Sequence, residues 1–227
     1  MAEVTLSIAT DWIGYILANW SQFLALLKAH MTMVFVGEFA AILVAVPAGI
    51  AVTRHDRLGW LVMNMGAVAQ TVPPLAVIAL SFTFLGLGMA PTILALFLYA
   101  LLPILKNTAA GIRGVDDAQI EAGRGMGMTQ FQRLRRIELP LASPVIFSGI
   151  RTSTVLCIGV AYLGAFIGAG GFGTWVILGQ QRFETQILLA GAIPGAALVI
   201  ALDRTFAWLE GRVTPTETNA ARDTASA

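Results

Sequence analysis

Charge is scarce in this chain. Asp, Glu, Lys and Arg make up 12% of its 227 residues, against about 25% in an ordinary soluble domain. The net charge is only +1, so there is no basic surface for nucleic acid and no nucleic-acid partner is expected. The single cysteine, Cys157, lies inside an apolar stretch. It has no intrachain disulfide partner and reads as a small core residue. His30 and His55 are the only histidines. They flank the first long apolar run without a cysteine or carboxylate cluster at ligand spacing, so no metal site is expected. No nucleophile and base are arranged for hydrolysis, and no Gly-x-x-x-x-Gly-Lys-Ser/Thr phosphate loop is present. The chain is expected to bind no cofactor. Its first residues, Met1-Ala-Glu-Val-Thr5, lack a basic region, which argues against a cleaved signal peptide.

Apolar residues are abundant: 57% of the chain, with mean hydropathy +0.77. Several stretches reach the roughly 20 residues needed to cross about 30 Å of hydrocarbon. Hydropathy predicts an all-α polytopic membrane protein with five spans, near 31–53, 58–85, 90–105, 141–163 and 186–206. The second contains Pro73-Pro74, whose missing donors and ring clash should break it into two half-helices. The third is short, and Lys106 with Asn107 could extend it by snorkelling. If the N-terminus is outside, twelve of the 14 Lys and Arg fall on the inner side and only Lys28 and Arg182 on the outer. The positive-inside rule therefore favours N-terminus out and C-terminus in.

Three regions follow: a segment 1–30, a membrane domain 31–210 containing a cytoplasmic loop at 106–140, and a polar tail at 211–227. Residues 12–28 repeat apolar side chains at helical spacing, interrupted by Asn19, Ser21 and Gln22. They fit an aromatic-rich interfacial helix, with an additional span as the alternative. The tail has too little apolar surface to fold.

Lys106 to Pro140 is the one long inner connection. Residues 119–123 can finish a short helix, and Gly125-Met126-Gly127 supplies a flexible corner. Thr129 and Gln132 have capping-box spacing, and Pro140 closes the second helix. This helix-turn-helix would present Met126, Met128, Phe131 and Leu134 among Arg133, Arg135 and Arg136. Such a plug suits a partner's groove. A segment resting on membrane lipid headgroups would use the same arginines.

The spacing resembles a known motif. Glu121-Ala122-Gly123, three residues, Gly127, nine residues, Ile137, one residue and Leu139-Pro140 match six of seven fixed positions of the EAA loop of ABC importer permeases. Gly123 stands where alanine is usual, a change expected to loosen the helix mildly. The resemblance implies that the loop couples to an ATPase pair, which binds the ATP and magnesium. It also implies a second permease subunit, identical or homologous, and an extracytoplasmic substrate-binding protein, in a bacterial inner membrane. Gln70-Thr-Val-Pro-Pro-Leu75, Leu98-Tyr-Ala-Leu-Leu-Pro-Ile-Leu-Lys-Asn-Thr108, Gly149-Ile-Arg-Thr152 and Gly164-Ala-Phe-Ile-Gly-Ala-Gly-Gly-Phe-Gly173 are similar to the osmoprotectant permeases. That similarity implies a substrate such as glycine betaine, carnitine or choline. Methionine-type permeases share the EAA loop and a similar glycine segment.

Candidate pathway or gate positions are Pro73, Pro74, Glu38, Gly170, Gly171 and Phe172. A broken helix at mid-membrane can line a cavity, or be a static kink. Glu38 and Arg151 lie within spans and each needs a polar neighbour. Glu38 is expected in a structural hydrogen bond, with substrate contact the alternative, and Arg151 is expected to pair or to snorkel. The segment 168–173 satisfies Gly-x-Gly-x-x-Gly, but no strand-helix unit surrounds it and a dinucleotide fold is rejected. It reads as a flexible connection, or as an outer docking loop with Phe172 and Trp175 as contacts. An ion-coupled carrier acting alone would need intramembrane acidic relays and inverted repeats, and neither is visible. A transport subunit, not an enzyme, is the reading retained.

Overall fold

The computed structural model describes residues 11–213, and among these there is no strand. A short helix α1 (residues 11–18) turns at Asn19 into α2 (Trp20–Val52). There follow α3 (Asp56–Ala69), α4 (Pro74–Leu85), α5 (Met89–Arg113), α6 (Asp117–Gly125) and α7 (Gln130–Arg133). A five-residue π-helical stretch, Leu134–Glu138, joins α7 to α8 (Leu139–Ala161), and a 3-10 turn, Tyr162–Ile167, leads on to α9 (Gly173–Arg182) and α10 (Thr185–Val213). The polar tail expected from 211 lies outside the described residues beyond Val213, as does the start of the chain.

Four helical stretches are long and apolar enough to cross a membrane: Trp20–Val52, Met89–Arg113, Gln130–Ile167 and Thr185–Gly211. The bent pair Gly59–Ala69 and Pro74–Leu85, whose halves meet at 92°, is a fifth candidate, as a broken span or a re-entrant loop. The proline break is therefore where the sequence puts it. Pro73 caps α4 and Pro74 occupies its first turn, where a missing donor is tolerated.

Two boundaries differ from expectation. The helix predicted over 12–28 is not a separate interfacial element from Trp20 onward; α2 runs unbroken through residue 30. At about 1.5 Å per residue its 33 residues span roughly 50 Å, well beyond the hydrocarbon core. The third span does not stop at Lys106. It continues to Arg113 because Thr108, Ala109, Gly111 and Ile112 find burial against neighbouring helices.

The central helix is α5, whose most extensive contacts are with α2 on one side and α8 on the other. In lipid there is no hydrophobic gain from pairing helices, so close approach of backbones through small residues has to supply the dispersion energy. A Cβ on Gly37 would lie 2.8 Å from that of Leu96, and one on Gly49 would lie 2.6 Å from that of Thr108. On the α8 side, a Cβ on Gly149 would lie 2.6 Å from that of Asn107. Met33, Val34, Ala41, Ala45, Leu96, Ala100, Ile104, Cys157 and Ile158 fill the core between these contacts. The Cys157 thiol donates to the Leu96 carbonyl (3.6 Å) and is fully buried.

Replacing Gly49 by leucine should force α2 from α5 and destabilise the protein by about 1–3 kcal/mol. Thermal unfolding in detergent should show it as a lowered Tm. Gly159→Ala, where nothing lies within 4 Å of the added carbon, should not lower the Tm.

Candidate coupling loop and pathway

The loop between α5 and α8 is a fixed piece of structure. Asp116 caps α6 by accepting from the Ala118 amide at 3.0 Å. The helix ends when Gly127 takes φ +76°, with its amide on Arg124 O (2.9 Å) and the Met128 amide on Gly123 O (3.1 Å). Those two bonds are a Schellman stop, which needs a residue in the left-handed region. Gly127 is thus a defined terminator, not the loose corner expected. The capping box then forms as predicted: the Gln132 amide donates to Thr129 Oγ1 (3.3 Å), and the Thr129 amide donates to Gln132 Oε1 (2.8 Å). Arg133 closes the turn by donating to Met128 O at 3.2 Å.

Gly123 has a packing reason. It is buried, and a Cβ there would lie 2.7 Å from Ile137 Cδ1 and 3.3 Å from Arg133 Cδ. The glycine thus brings α6 close to the root of α8 rather than merely loosening a helix. Glu121 and Ala122 are exposed, as is Pro140. Met126 and Phe131 are 68% and 69% exposed, an apolar pair with no cover from this chain's core. Met128 and Leu139 are half-buried, and Leu134 packs inward against Ile112, Ala142 and Ile146. Pro140 does not close the second helix. It follows the π stretch through which α7 runs on into α8, so Pro140 lies inside one continuous helical run, Gln130–Ile167. The loop's motion and that of α8 are therefore mechanically joined.

At the break in the second span, the break and α5 each meet a carbonyl of the other with a side chain. Pro103 in α5 cannot donate to the Tyr99 carbonyl four residues back, and Gln70 Nε2 donates to it instead at 3.3 Å. The Tyr99 hydroxyl in turn donates to the Val72 carbonyl in the break itself. Sequence reasoning named Pro73 and Pro74 but not Gln70 or Tyr99. Both lie in the two runs most similar to the osmoprotectant permeases, which is where a signal existed.

Glu38 is buried and accepts from the Ser153 hydroxyl, the structural hydrogen bond expected. It borders an apolar cleft of about 270 Å³ between α2, α8 and α10, with Phe35, Phe39, Phe147 and Phe206 among its walls. Arg151 pairs within the bundle, bidentate to Asp203 at 2.6 and 2.8 Å and 3.6 Å from Glu210.

The glycine segment is far from the proline break in role. Gly168, Gly170 and Gly171 all have φ near +73° to +82°. Gly171 sits against His30, whose Nδ1 accepts from the Phe172 amide at 3.4 Å. His30, with no metal chemistry at sequence level, is thus the clamp that orders this loop. Phe172 and Trp175 are 1% and 0% exposed and pack with Ile16, Leu26, Ile187 and Ala190. The expectation that they meet a docked protein is corrected: their rings are needed to fill the space between α1, α2, α9 and α10. The segment is a packed turn, not a flexible connection.

Four or five candidate spans, a helical loop root fused to one of them and an apolar exposed loop tip fit the membrane subunit of a transporter. Residues 37–215 match the family model described as "Binding-protein-dependent transport system inner membrane component", and the chain belongs to that family. Relatives include the choline transport system permease protein OpuBB of Bacillus subtilis, 39% identical over 89% of this chain and 94% of its own length. The carnitine transport permease protein OpuCD of Listeria monocytogenes is 44% identical over 89% of this chain and 92% of its own. The osmoprotectant import permease protein OsmY of Salmonella typhimurium is 42% identical over 83% and 80% respectively. Among solved structures, the inward-facing MetNI methionine ABC transporter superposes with TM-score 0.77, at 21% identity, covering 87% of this chain and 99% of that one. The protein is a multi-pass inner-membrane permease of an ABC importer and not an enzyme, and ATP hydrolysis belongs to a separate ATPase chain. Such a permease works with an ATPase and a substrate-binding protein.

Tyr99→Phe and Gln70→Leu each strip one freed carbonyl of its donor, at about 1 kcal/mol apiece. Both should lower the Tm, and the double variant should lose less than the sum if the two bonds support one another. Additive losses would show the two to be independent.

Proposed function

We propose that this chain passes a small quaternary-amine osmoprotectant, such as glycine betaine, carnitine or choline, across the inner membrane by alternating access. The observation that carries the solute class is identity of 39–44% with permeases named for choline, carnitine and osmoprotectant transport. The methionine transporter shares 21% and speaks for the fold alone. The two sets of matches favour the amine over methionine.

One of two ATPases would seat the α6–α7 loop, with Met126 and Phe131 entering its groove and Arg135 and Arg136 at the rim. Their exposure supports this, since an apolar pair left uncovered on a soluble face is stabilised by a partner. Binding of ATP and magnesium on those ATPases draws them together. The loop moves with them, and α8 follows through the continuous helical root. A second permease, identical or homologous, completes the path, an external binding protein delivers solute at the opposite end, and membrane lipid covers the remaining apolar faces. The basic residues gathered at the loop end support a cytoplasmic position for that end and an N-terminus outside.

Reconstitution in proteoliposomes with the ATPase and the binding protein should give ATP-dependent uptake of labelled glycine betaine, carnitine or choline and none of methionine. Uptake of methionine alone, or uptake without the ATPase, would overturn the proposal. Phe131→Asp combined with Met126→Asp should leave the chain in the membrane while cutting co-purification with the ATPase at least about tenfold, the loss expected for two buried apolar anchors.

A further inference from the structure

Both roots of the α6–α7 loop attach to the same end of α2. At the incoming root, Arg113, the last residue of α5, donates from Nη2 to the Val52 carbonyl at 3.4 Å. At the outgoing root, Glu138, the last residue of the π stretch, forms an ion pair with Arg54 just beyond α2. Glu138 is 2% exposed and Arg54 is 31% exposed. A carboxylate that buried is held by its partner's charge, because desolvation without the pair is strongly unfavourable. The π stretch itself is an underwound, widened turn, a form frequent at functional sites within helices.

We propose that the Arg54–Glu138 ion pair, backed by Arg113 on the Val52 carbonyl, is the joint through which displacement of the α6–α7 loop reaches the first span. This rests on the loop being the ATPase-docking element. Movement of the loop reaches α8 directly through the shared helix. α2 has no covalent continuity with the loop. It meets the loop's two roots through apolar contact of Val46 and Ile50 with Ile112, Ala142 and Ile146, and its polar bonds to them are concentrated in residues 52–54. Since α2 also packs along α5 and, roughly 33 Å further up at about 1.5 Å per residue from Val52, holds the glycine turn through His30, the joint carries loop motion to the far end of the bundle. Glu138 and Arg54 are positioning residues: they touch neither nucleotide nor solute.

The test uses the full importer in proteoliposomes, with ATPase and binding protein, and glycine betaine, carnitine and choline as probes. Three properties are read: ATPase co-purification, ATP hydrolysed per solute imported, and Tm. Glu138→Gln keeps shape and removes the charge. It should retain the ATPase while the ATP-to-solute ratio rises roughly fivefold or more, the range of a coupling of 1 kcal/mol upward. The charge exchange Arg54→Glu with Glu138→Arg should bring the ratio back toward wild type, a rescue that a loss of packing alone would not give. If Glu138→Gln does not accumulate, Arg54→Gln, at the more exposed partner, carries the same measurement. A wild-type ratio in a variant that retains the ATPase overturns the joint while leaving the docking reading standing. Failure of both single variants to accumulate also overturns it, making the pair a folding element. Undiminished ATPase binding by the Phe131→Asp, Met126→Asp variant overturns the docking reading, and the joint with it.

Discussion

Within hydrocarbon a backbone carbonyl has no water to turn to, and that constraint organises this molecule. Proline removes donors inside α2, α5, α8 and α10 and at the break between α3 and α4. At the break the Val72 carbonyl is met by the Tyr99 hydroxyl of α5, and the Tyr99 carbonyl that Pro103 leaves without its helical donor is met by Gln70 in return. A kink so held is a stable feature of the fold, and it fixes the direction in which α4 leaves α3.

The same requirement explains the two ends of the bundle. At one, the loop between α5 and α8 is closed by a Schellman stop at Gly127 and a capping box at Thr129, so its short helices keep their shape without a core of their own. At the other, His30 supplies an acceptor to the Phe172 amide, and three left-handed glycines let the chain fold tightly enough to bury two large rings. Between the ends, α5 holds α2 and α8 at distances that only glycine allows. Rigid ends joined by closely packed rods are what a subunit needs if motion at one face is to have consequences at another.

Much of this was legible before any coordinates. Hydrophobic length gave the spans, because the bilayer imposes a fixed thickness on any apolar run. Pro73-Pro74 marked the break, because the cost of a missing amide is local. Thr129 with Gln132 marked a helix start for the same reason, and both features are found as read. The spacing from Glu121 to Pro140 pointed to the family, and the family match over residues 37–215 agrees. Arg151 called for a partner because an intramembrane charge must have one, but nothing in the sequence said that the partner was Asp203.

What the linear text could not supply was every pairing between distant helices. Phe172 and Trp175 looked like an exposed aromatic tip, and only the return of α1 and α2 over them makes them core. Pro140 looked like a stop, whereas α7 runs through the π stretch ahead of it and on into α8. Gly123 looked like a weakened alanine until Ile137 was found against it. Arg54 and Glu138, 84 positions apart, gave no sign of one another. The sequence by itself determined the spans, the break and the loop, because each follows from the chemistry of consecutive residues in a medium of known thickness. The tertiary structure alone decided which buried charges and freed carbonyls meet, because those meetings are set by how the helices cross.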